Sequence, residues 1–149
     1  MSNMNPHRFG LQNLEGDIEL RTMHYAISDY SSDLVAAFVS LSQNTNVEWG
    51  LYRSESGRMM LGTQHLNHEV DLNAMIQSAG QEGLPFLSLS SKIHSHPLGY
   101  SSEKDSMAVD FRNAQSHPSI RSFVYFPASN NYYLITNNGI RLIKGFPKL

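Results

Sequence analysis

The sequence predicts an α/β domain in which a mixed central β-sheet is flanked by helices. Three observations lead to this fold class. Segments of strand-like alternation are interspersed with segments of helical spacing along the chain. Two pairs of neighbouring strand segments are joined by short turns of hairpin type. The chain of 149 residues is long enough for one hydrophobic core, so residues 1–149 are predicted as a single domain, with the polar residues 1–16 as a flexible arm.

The first half of the chain is predicted to place one helix between extended segments. Residues 17–27, DIELRTMHYAI, have a strand pattern. In SSDLVAAFVSLSQN, residues 31–44, a serine can cap the first turn, and Leu34 and Phe38 recur at helical spacing. A hairpin is predicted next, and its first strand, turn and second strand are VEWGLYR (47–53), SESG (54–57) and RMMLGTQHL (58–66).

The second half is predicted to continue the alternation of helices and strands. The predicted elements are a helix over 70–80, a strand over 85–96, a helix over 101–115, and the strands SFVYFP, NYYLIT and IRLIK. Strict alternation in the strand over 85–96 places His94 and His96 on one face and Leu89 and Ile93 on the other. The pair Asn138-Gly139 predicts a hairpin with a type I′ turn between the last two strands.

The composition excludes several classes of function. The formal net charge is −2 and no cluster of Lys and Arg stands out, so neither nucleic acid nor an anionic membrane is the expected partner. There is no cysteine, which excludes disulfides and thiolate zinc sites. No apolar stretch approaches the roughly 20 residues of a membrane span, and the N-terminus lacks the apolar centre of a signal peptide. The compartment stays open: cytoplasmic, or exported as part of a larger effector system.

The stretch KIHSHPLGYSSEKD, residues 92–105, predicts a metal site. Residues two apart on a strand point the same way, so the imidazoles of His94 and His96 can reach one ion. Asp105 is expected one turn into the following helix, from which its carboxylate can return to the same point. Two imidazoles and one carboxylate suit Zn²⁺ and leave a fourth position for water, which is the arrangement of a catalytic rather than a structural zinc.

Two further residues are candidates for the chemistry of such a site. Glu48 lies within an otherwise apolar strand segment, and Gly50, two residues on, is expected to leave a gap beside its carboxylate. Glu48 is therefore the candidate general base for the zinc-activated water. Ser102 is the candidate donor to the oxyanion of a tetrahedral intermediate, with Ser101 as the rival for this role. Trp49 is expected to point away from Glu48 into the core.

These motifs resemble the JAMM (MPN+/JAB) zinc metalloprotease family. The family pattern is a glutamate on an early strand, then His-x-His-Pro, then Ser-x-x-Asp, and this chain matches it with Glu48, with HSHP at 94–97 and with SEKD at 102–105. The resemblance covers roughly residues 31–115. The loop between the second histidine and the serine has five residues here and seven in the better-known members. This loop and the C-terminal strands are more similar to bacterial JAB-like toxin or effector domains than to proteasome-associated deubiquitinases.

The resemblance implies a cytidine-deaminase-like JAB/MPN fold and an enzyme that hydrolyses a peptide or isopeptide bond. It implies that His94, His96 and Asp105 bind Zn²⁺, that Glu48 is the general base and that Ser102 assists the oxyanion. The implied partner is a protein or peptide substrate, either a ubiquitin-like conjugate or a cell-wall peptide.

Three alternatives accompany this interpretation. Ser102 and Asp105 alone are also an ordinary helix-capping pattern. The whole chain could be a non-catalytic MPN-like binding module. It could also be a secreted antibacterial toxin or effector domain that an immunity or regulatory protein neutralises.

The segment HLNHE, which contains His65 and His68, lacks the spacing of a zinc-binding helix and is interpreted as a solvated loop.

Overall fold

The computed structural model describes residues 5–12, 18–28, 31–63, 89–97 and 102–149, and for residues 5–12 and 18–27 it describes the backbone. Within these ranges the chain forms eight strands and three helices. The strands are β1 (Asn5–Gln12), β2 (Ile18–Ser28), β3 (Gly50–Ser54), β4 (Met59–Thr63), β5 (Leu89–Ser95), β6 (Arg121–Phe126), β7 (Asn131–Thr136) and β8 (Gly139–Ile143). The helices are α1 (Ser31–Asn44), α2 (Glu103–Ser106) and α3 (Ala108–Ser116).

The eight strands form one mixed sheet in the order β1-β2-β4-β3-β5-β6-β7-β8. Every neighbouring pair is antiparallel except β5 and β6, which are parallel. A parallel pair needs a crossover connection, and here that connection contains α2 and α3. The predicted fold class, an α/β domain with a mixed sheet flanked by helices, is thereby confirmed.

Among the described residues, two clusters of buried side chains lie on opposite faces of the sheet. The larger core packs α1 against the sheet, and its buried members include Leu34, Phe38, Trp49, Leu51, Ile93 and Tyr125. The smaller core packs the crossover against the opposite face, and its buried members are Met107, Ala114, Val124, Phe126 and Ile135. Trp49 therefore lies in the α1 core, as its alternation with Glu48 predicted. Polar strand residues that project to the α3 face of the sheet can therefore meet the helices of the crossover.

Several predicted elements are confirmed with small shifts of their ends. The helix over 31–44, the hairpin of β3 and β4, and the C-terminal strands are all present. The β3–β4 turn contains Gly57 at a φ of 91°, a left-handed conformation that favours glycine. In β5, buried and half-buried residues alternate strictly from Leu89 to Ser95, as expected for a strand with one fully covered face.

Three expectations differ from the structure. The N-terminal arm contains β1, whose backbone pairs with β2 from Asn5 to Gln12. Pairing with a long neighbouring strand overrides the weak strand propensity of a segment that contains Pro and Gly. The β7–β8 hairpin is present, but its turn is not type I′, because among the described residues only Asn130 combines a side chain with a positive φ. The side chain of Thr136 holds this turn instead, since its Oγ1 accepts a hydrogen bond from the Asn138 amide at 3.2 Å.

The third difference bears on the candidate site. The single helix predicted over 101–115 is divided at Met107, whose φ and ψ of −91° and 2° end α2 and begin α3. The Met107 side chain is fully buried in the smaller core. The break therefore coincides with a buried residue, whereas α2 itself has no buried residue.

Some predictions lie outside the described residues. They are the helix over 70–80, the loop that contains His65 and His68, and the rival residue Ser101. Among the described residues, none of the helices has the length and apolar character of a membrane span.

Candidate metal centre

The candidate site is built on three central strands whose residues fall into rows across the sheet. Gly50 on β3, His94 on β5 and Val124 on β6 are register partners and form one row. Register partners project their side chains to the same face. His94 therefore projects from the face on which Val124 packs in the smaller core under α3.

The neighbouring row contains His96 and the predicted base Glu48. The ladder continues past the end of β3, because the Ser95 amide donates to the Trp49 carbonyl at 2.9 Å and the Trp49 amide donates to Ser95 Oγ at 2.9 Å. Trp49 therefore lies opposite Ser95. Because the two strands are antiparallel, the residue before Trp49, Glu48, lies opposite the residue after Ser95, His96. Side chains two residues apart on a strand point to the same face, so His96 shares the face of His94, and Glu48 shares the face of Gly50 in the same row as His94.

Three side chains converge above this face. His94 Nε2 lies 2.9 Å from Asp110 Oδ1, His96 Nε2 lies 2.9 Å from Asp110 Oδ2, and the two Nε2 atoms are 3.1 Å apart. The three side chains are half-buried, with 14–18% of their surface exposed. Among the described residues, His94, His96 and Asp110 are a group of potential ligands whose donor atoms all lie within 4.8 Å of one another.

This geometry fits a small divalent cation with nitrogen and oxygen ligands. At the usual Zn²⁺–ligand distance of about 2.0–2.1 Å, tetrahedral geometry separates two ligand atoms by about 3.3 Å. The two Nε2 atoms, which are 3.1 Å apart, would have to separate by only a few tenths of an ångström, and Asp110 offers one carboxylate oxygen at 2.9 Å from each of them. Two imidazoles with one carboxylate are also a donor set that zinc takes in proteins, with one position left for another ligand. His94, His96 and Asp110 could therefore hold a zinc ion.

The electrostatics of the group keep its carboxylate ionised. Burial by itself would raise the pKa of Asp110, but the adjacent His94 and His96 act in the opposite direction through charge and hydrogen bonds and hold the pKa well below its usual range. An ionised carboxylate is the form that binds a metal. Burial lowers the pKa of Lys92, which lies two residues before His94 on β5. The negative charge of Asp110 acts on this pKa in the opposite direction.

The carboxylate of the group is Asp110, whereas the sequence pattern designates Asp105. Asp105 is exposed in the surface turn of α2, where its backbone amide donates to Ser102 Oγ at 3.2 Å. Asp110 lies in α3, three residues after the buried Met107 and four before the buried Ala114, so it shares the helix face that packs on the sheet. The sequence contains this signal, since Met107, Asp110 and Ala114 have helical spacing, but it is visible only once the helix is known to restart at Met107.

Among the described residues, Glu48 is the only charged residue that is buried. It exposes 5% of its surface, and its carbonyl accepts a hydrogen bond from Thr63 Oγ1 at 2.7 Å, which ties it to the end of β4. Burial of a carboxylate is unfavourable unless polar groups compensate for the lost contact with water. The structure thus places Glu48 in the row of His96, beside the candidate metal centre.

The space above Gly50 is filled rather than open. A Cβ atom built on Gly50 would lie 2.2 Å from the hydroxyl oxygen of Tyr52 and 2.6 Å from its Cζ, so the Tyr52 ring folds over this glycine. Tyr52 is itself 3% exposed. The gap expected beside Glu48 therefore accommodates a tyrosine, and the absence of a side chain at position 50 is what lets the phenol lie over this glycine.

Ser102 is the N-cap of α2. Its Oγ accepts the hydrogen bond from the Asp105 amide, which confirms the capping pattern. Acceptance uses a lone pair of the hydroxyl, so the proton of this O–H can still be donated elsewhere. Ser102 is exposed at the start of the crossover. The structure thus shows a capping role for Ser102, and its oxyanion role stays a prediction.

The next residue, Glu103, anchors this turn and was not predicted as a site residue. Its carboxylate accepts hydrogen bonds from Ser129 Oγ at 3.0 Å, Asn131 Nδ2 at 3.0 Å and Tyr133 Oη at 3.2 Å. These three donors come from β7 and the turn before it. The start of α2 is thereby fixed to the β6–β7 hairpin, and no local sequence pattern shows a contact across so many residues.

The same hairpin supports one of the histidines. The Phe126 ring stacks on His96 with a centroid separation of 5.1 Å, and the Tyr133 ring meets Phe126 edge to face at 5.6 Å. The His96 amide also donates to the Tyr125 carbonyl at 2.8 Å. Stacking and the backbone bond together restrict the orientation of the His96 imidazole, as the supporting residues of metal ligands commonly do.

Comparison with known proteins agrees with this architecture. The family model of JAB-like toxin 1 matches residues 26–122, which is more than half of the chain and includes Glu48, both histidines and Asp110. No curated protein and no solved structure matched the chain significantly. The matched segment runs from the end of β2 through the whole crossover that carries the candidate metal centre. The chain therefore belongs to the JAB-like toxin 1 family.

Proposed function

We propose that this protein is a zinc-dependent hydrolase of the JAMM type that cleaves a peptide or isopeptide amide bond. One observation carries the proposal: two imidazoles and a carboxylate converge within 4.8 Å on the sheet face that also carries the buried Glu48. Family membership supports the same chemistry. A buried acid on the same sheet face as a group of potential metal ligands is more typical of a catalytic site than of a binding module.

The proposed division of labour assigns the metal to His94, His96 and Asp110. When bound, Zn²⁺ supplies Lewis acidity, which lowers the pKa of a water molecule and polarises a carbonyl group. Glu48 takes one proton from the attacking water and transfers it to the amide nitrogen as the C–N bond breaks. The hydroxyl group of the water ends on the carbonyl carbon, so the products are an acid and an amine.

Ser102 is proposed to donate a hydrogen bond from its hydroxyl group to the carbonyl oxygen as negative charge develops there. A donor held in place before the reaction contributes more than a mobile one. Glu103 supplies the rigidity, because three hydrogen bonds fix the turn that begins at Ser102 to the neighbouring hairpin. Glu103 is therefore a positioning residue in this scheme.

The first experiment measures metal content and turnover in the same preparations. Wild type is expected to bind one zinc per chain, and Glu48→Gln is expected to bind zinc equally while turnover falls by about 10²–10⁴-fold, the usual contribution of a general base. His94→Ala is expected to lose both zinc and turnover. Substrate candidates are ubiquitin-like conjugates and cross-linked cell-wall peptides. Zinc binding with equal turnover in wild type and Glu48→Gln would refute the role of Glu48, and failure to bind zinc would refute the proposal.

The family description also supports a biological role as a toxin domain. In that role, hydrolysis damages a target cell, and an immunity protein protects the producer by covering the site. Expression of wild type in a host cell is then expected to inhibit growth, and expression of Glu48→Gln is not. Equal growth inhibition by both would instead favour a non-catalytic binding module.

A further inference from the structure

A third row of side chains lies next to the candidate metal centre on the same face of the sheet. Tyr52 on β3 pairs with Lys92 on β5, and Lys92 pairs with Ser122 on β6. Lys92 is two residues from His94, so the two Cα atoms are separated by about 6.5–7 Å along the strand. The row of His94 therefore lies between this row and the row that contains Glu48 and His96.

Lys92 is a half-buried cation that the described part of the protein leaves without a direct partner. It makes no hydrogen bond or ion pair with any residue that the structure describes. Asp110 is the anion whose charge it senses, but both oxygens of that carboxylate are already held by His94 and His96. A cation withdrawn from water without a partner is unfavourable, which suggests that its partner arrives with a ligand.

The neighbour of Lys92 supplies a second, independent observation. Ser122 exposes 5% of its surface, and its Oγ has no hydrogen-bond partner among the residues that the structure describes. Buried hydroxyl groups are usually paired, so an unpaired one on the register partner of Lys92 points to a place where acceptor oxygens are missing. Both groups donate, and together they suit an anion with more than one oxygen.

We propose that Lys92 and Ser122 form a carboxylate-binding subsite, and that the amide substrate carries a carboxylate within about one residue of the bond to be cleaved. This inference rests on the proposed hydrolase function of the adjacent centre. The distance supports the substrate class, because a spacing of about 6.5–7 Å between strand positions is comparable to the reach of one extended amino-acid residue or of an acidic side chain. The carboxylate would come either from an acidic side chain or from a chain terminus.

The experiment uses three small probes of nearly equal size. N-acetylglutamate α-amide offers a side-chain carboxylate, N-acetylglutamine offers a terminal carboxylate, and N-acetylglutamine amide offers none. The protein is the full chain with its lysines labelled with ¹³C at Cε. It contains four lysines, and Lys104, Lys144 and Lys148 are exposed, so they serve as internal controls for Lys92. Each probe is titrated against the zinc-loaded and the metal-free protein.

The expected result is a saturable shift of the Lys92 signal with at least one carboxylate probe and little change with the neutral probe. Lys92→Met should weaken the binding of that probe on the order of 10- to 100-fold, the usual range for a hydrogen bond to a charged group, while Lys144→Met should leave it unchanged. A preference for one carboxylate probe identifies its source in the substrate.

The inference is overturned if the Lys92 signal responds to no probe, or responds equally to the neutral one, in a protein that binds zinc. The metal-free titration separates this result from a failure of the proposed function. A protein that binds no zinc but retains the Lys92 response would refute the hydrolase and leave the carboxylate subsite established.

Discussion

Exchange of single carboxylates in the crossover tests which acid completes the metal centre. Asp110→Asn keeps the size of the side chain and removes its charge, at a position where both oxygens lie 2.9 Å from an imidazole nitrogen. Asp105→Asn makes the same chemical change at an exposed position in α2. The two variants are matched controls for each other, because one tests the structural assignment and the other tests the family pattern.

The expected magnitudes differ widely. Removal of a residue that merely orients a metal ligand weakens metal binding about 10- to 100-fold, so loss of a charged ligand should cost at least about 100-fold, or about 2.7 kcal/mol. Metal-free Asp110→Asn should also unfold more easily, by about 1–3 kcal/mol, because a charge-assisted hydrogen bond to an imidazole is lost. Asp105→Asn should change zinc affinity by no more than about 0.5 kcal/mol, or roughly twofold, as expected for a surface substitution.

Zinc affinity is measured by competition with a chromophoric chelator, and stability by urea unfolding in the presence of a chelator. Both assays use wild type and the two variants at the same pH and ionic strength. If Asp105→Asn weakens zinc binding as much as Asp110→Asn does, the assignment of Asp110 as the third ligand is wrong and the family pattern is right. Equal affinities in all three proteins would refute a carboxylate ligand from this crossover.

Three further predictions concern the supporting structure. Gly50→Ala should destabilise the protein by about 1–3 kcal/mol in urea, because its Cβ would lie 2.2 Å from the Tyr52 hydroxyl and the packed ring would have to move; an unchanged midpoint would contradict this packing. Phe38→Ala should cost about 3–5 kcal/mol, since this ring is fully buried in the larger core, and a loss under about 1 kcal/mol would argue against that burial. Burial and the neighbouring Tyr125 raise the pKa of Tyr132 to about 12, which favours the protonated phenol in the folded state. That stabilisation is complete below about pH 10 and is lost as the pH rises from about 10 towards about 12, so alkaline unfolding curves should be flatter for Tyr132→Phe than for wild type.

The histidine strand illustrates what local pattern can predict. Alternation along β5 was sufficient to place His94 and His96 on the same face, because the twofold period of a strand depends on nothing beyond the strand itself. The burial of Trp49 on the opposite face from Glu48 followed from the same period. The fold class followed from the alternation of helical and strand patterns.

Contacts between residues on different strands could not be predicted from a local pattern. The contacts of Glu103 with Ser129, Asn131 and Tyr133 join residues far apart in the chain, and no sequence period encodes them. The same is true of Phe126 against His96. The row formed by Tyr52, Lys92 and Ser122 exists only because three strands pair in a particular register. Such residues carry no motif and are recognised only in the folded chain.

The amino-acid sequence by itself determined the family, the mixed sheet and the two imidazoles that face one point, because each follows from a local motif or from the period of a single element. Only the tertiary structure decided which carboxylate joins them. The predicted helix divides at the buried Met107, Asp105 lies exposed in α2, and Asp110 lies on the face of α3 that packs on the sheet. Which acid reaches the histidines depends on how the crossover packs on strands that are distant in the chain, and this packing depends on the whole fold rather than on the neighbouring sequence.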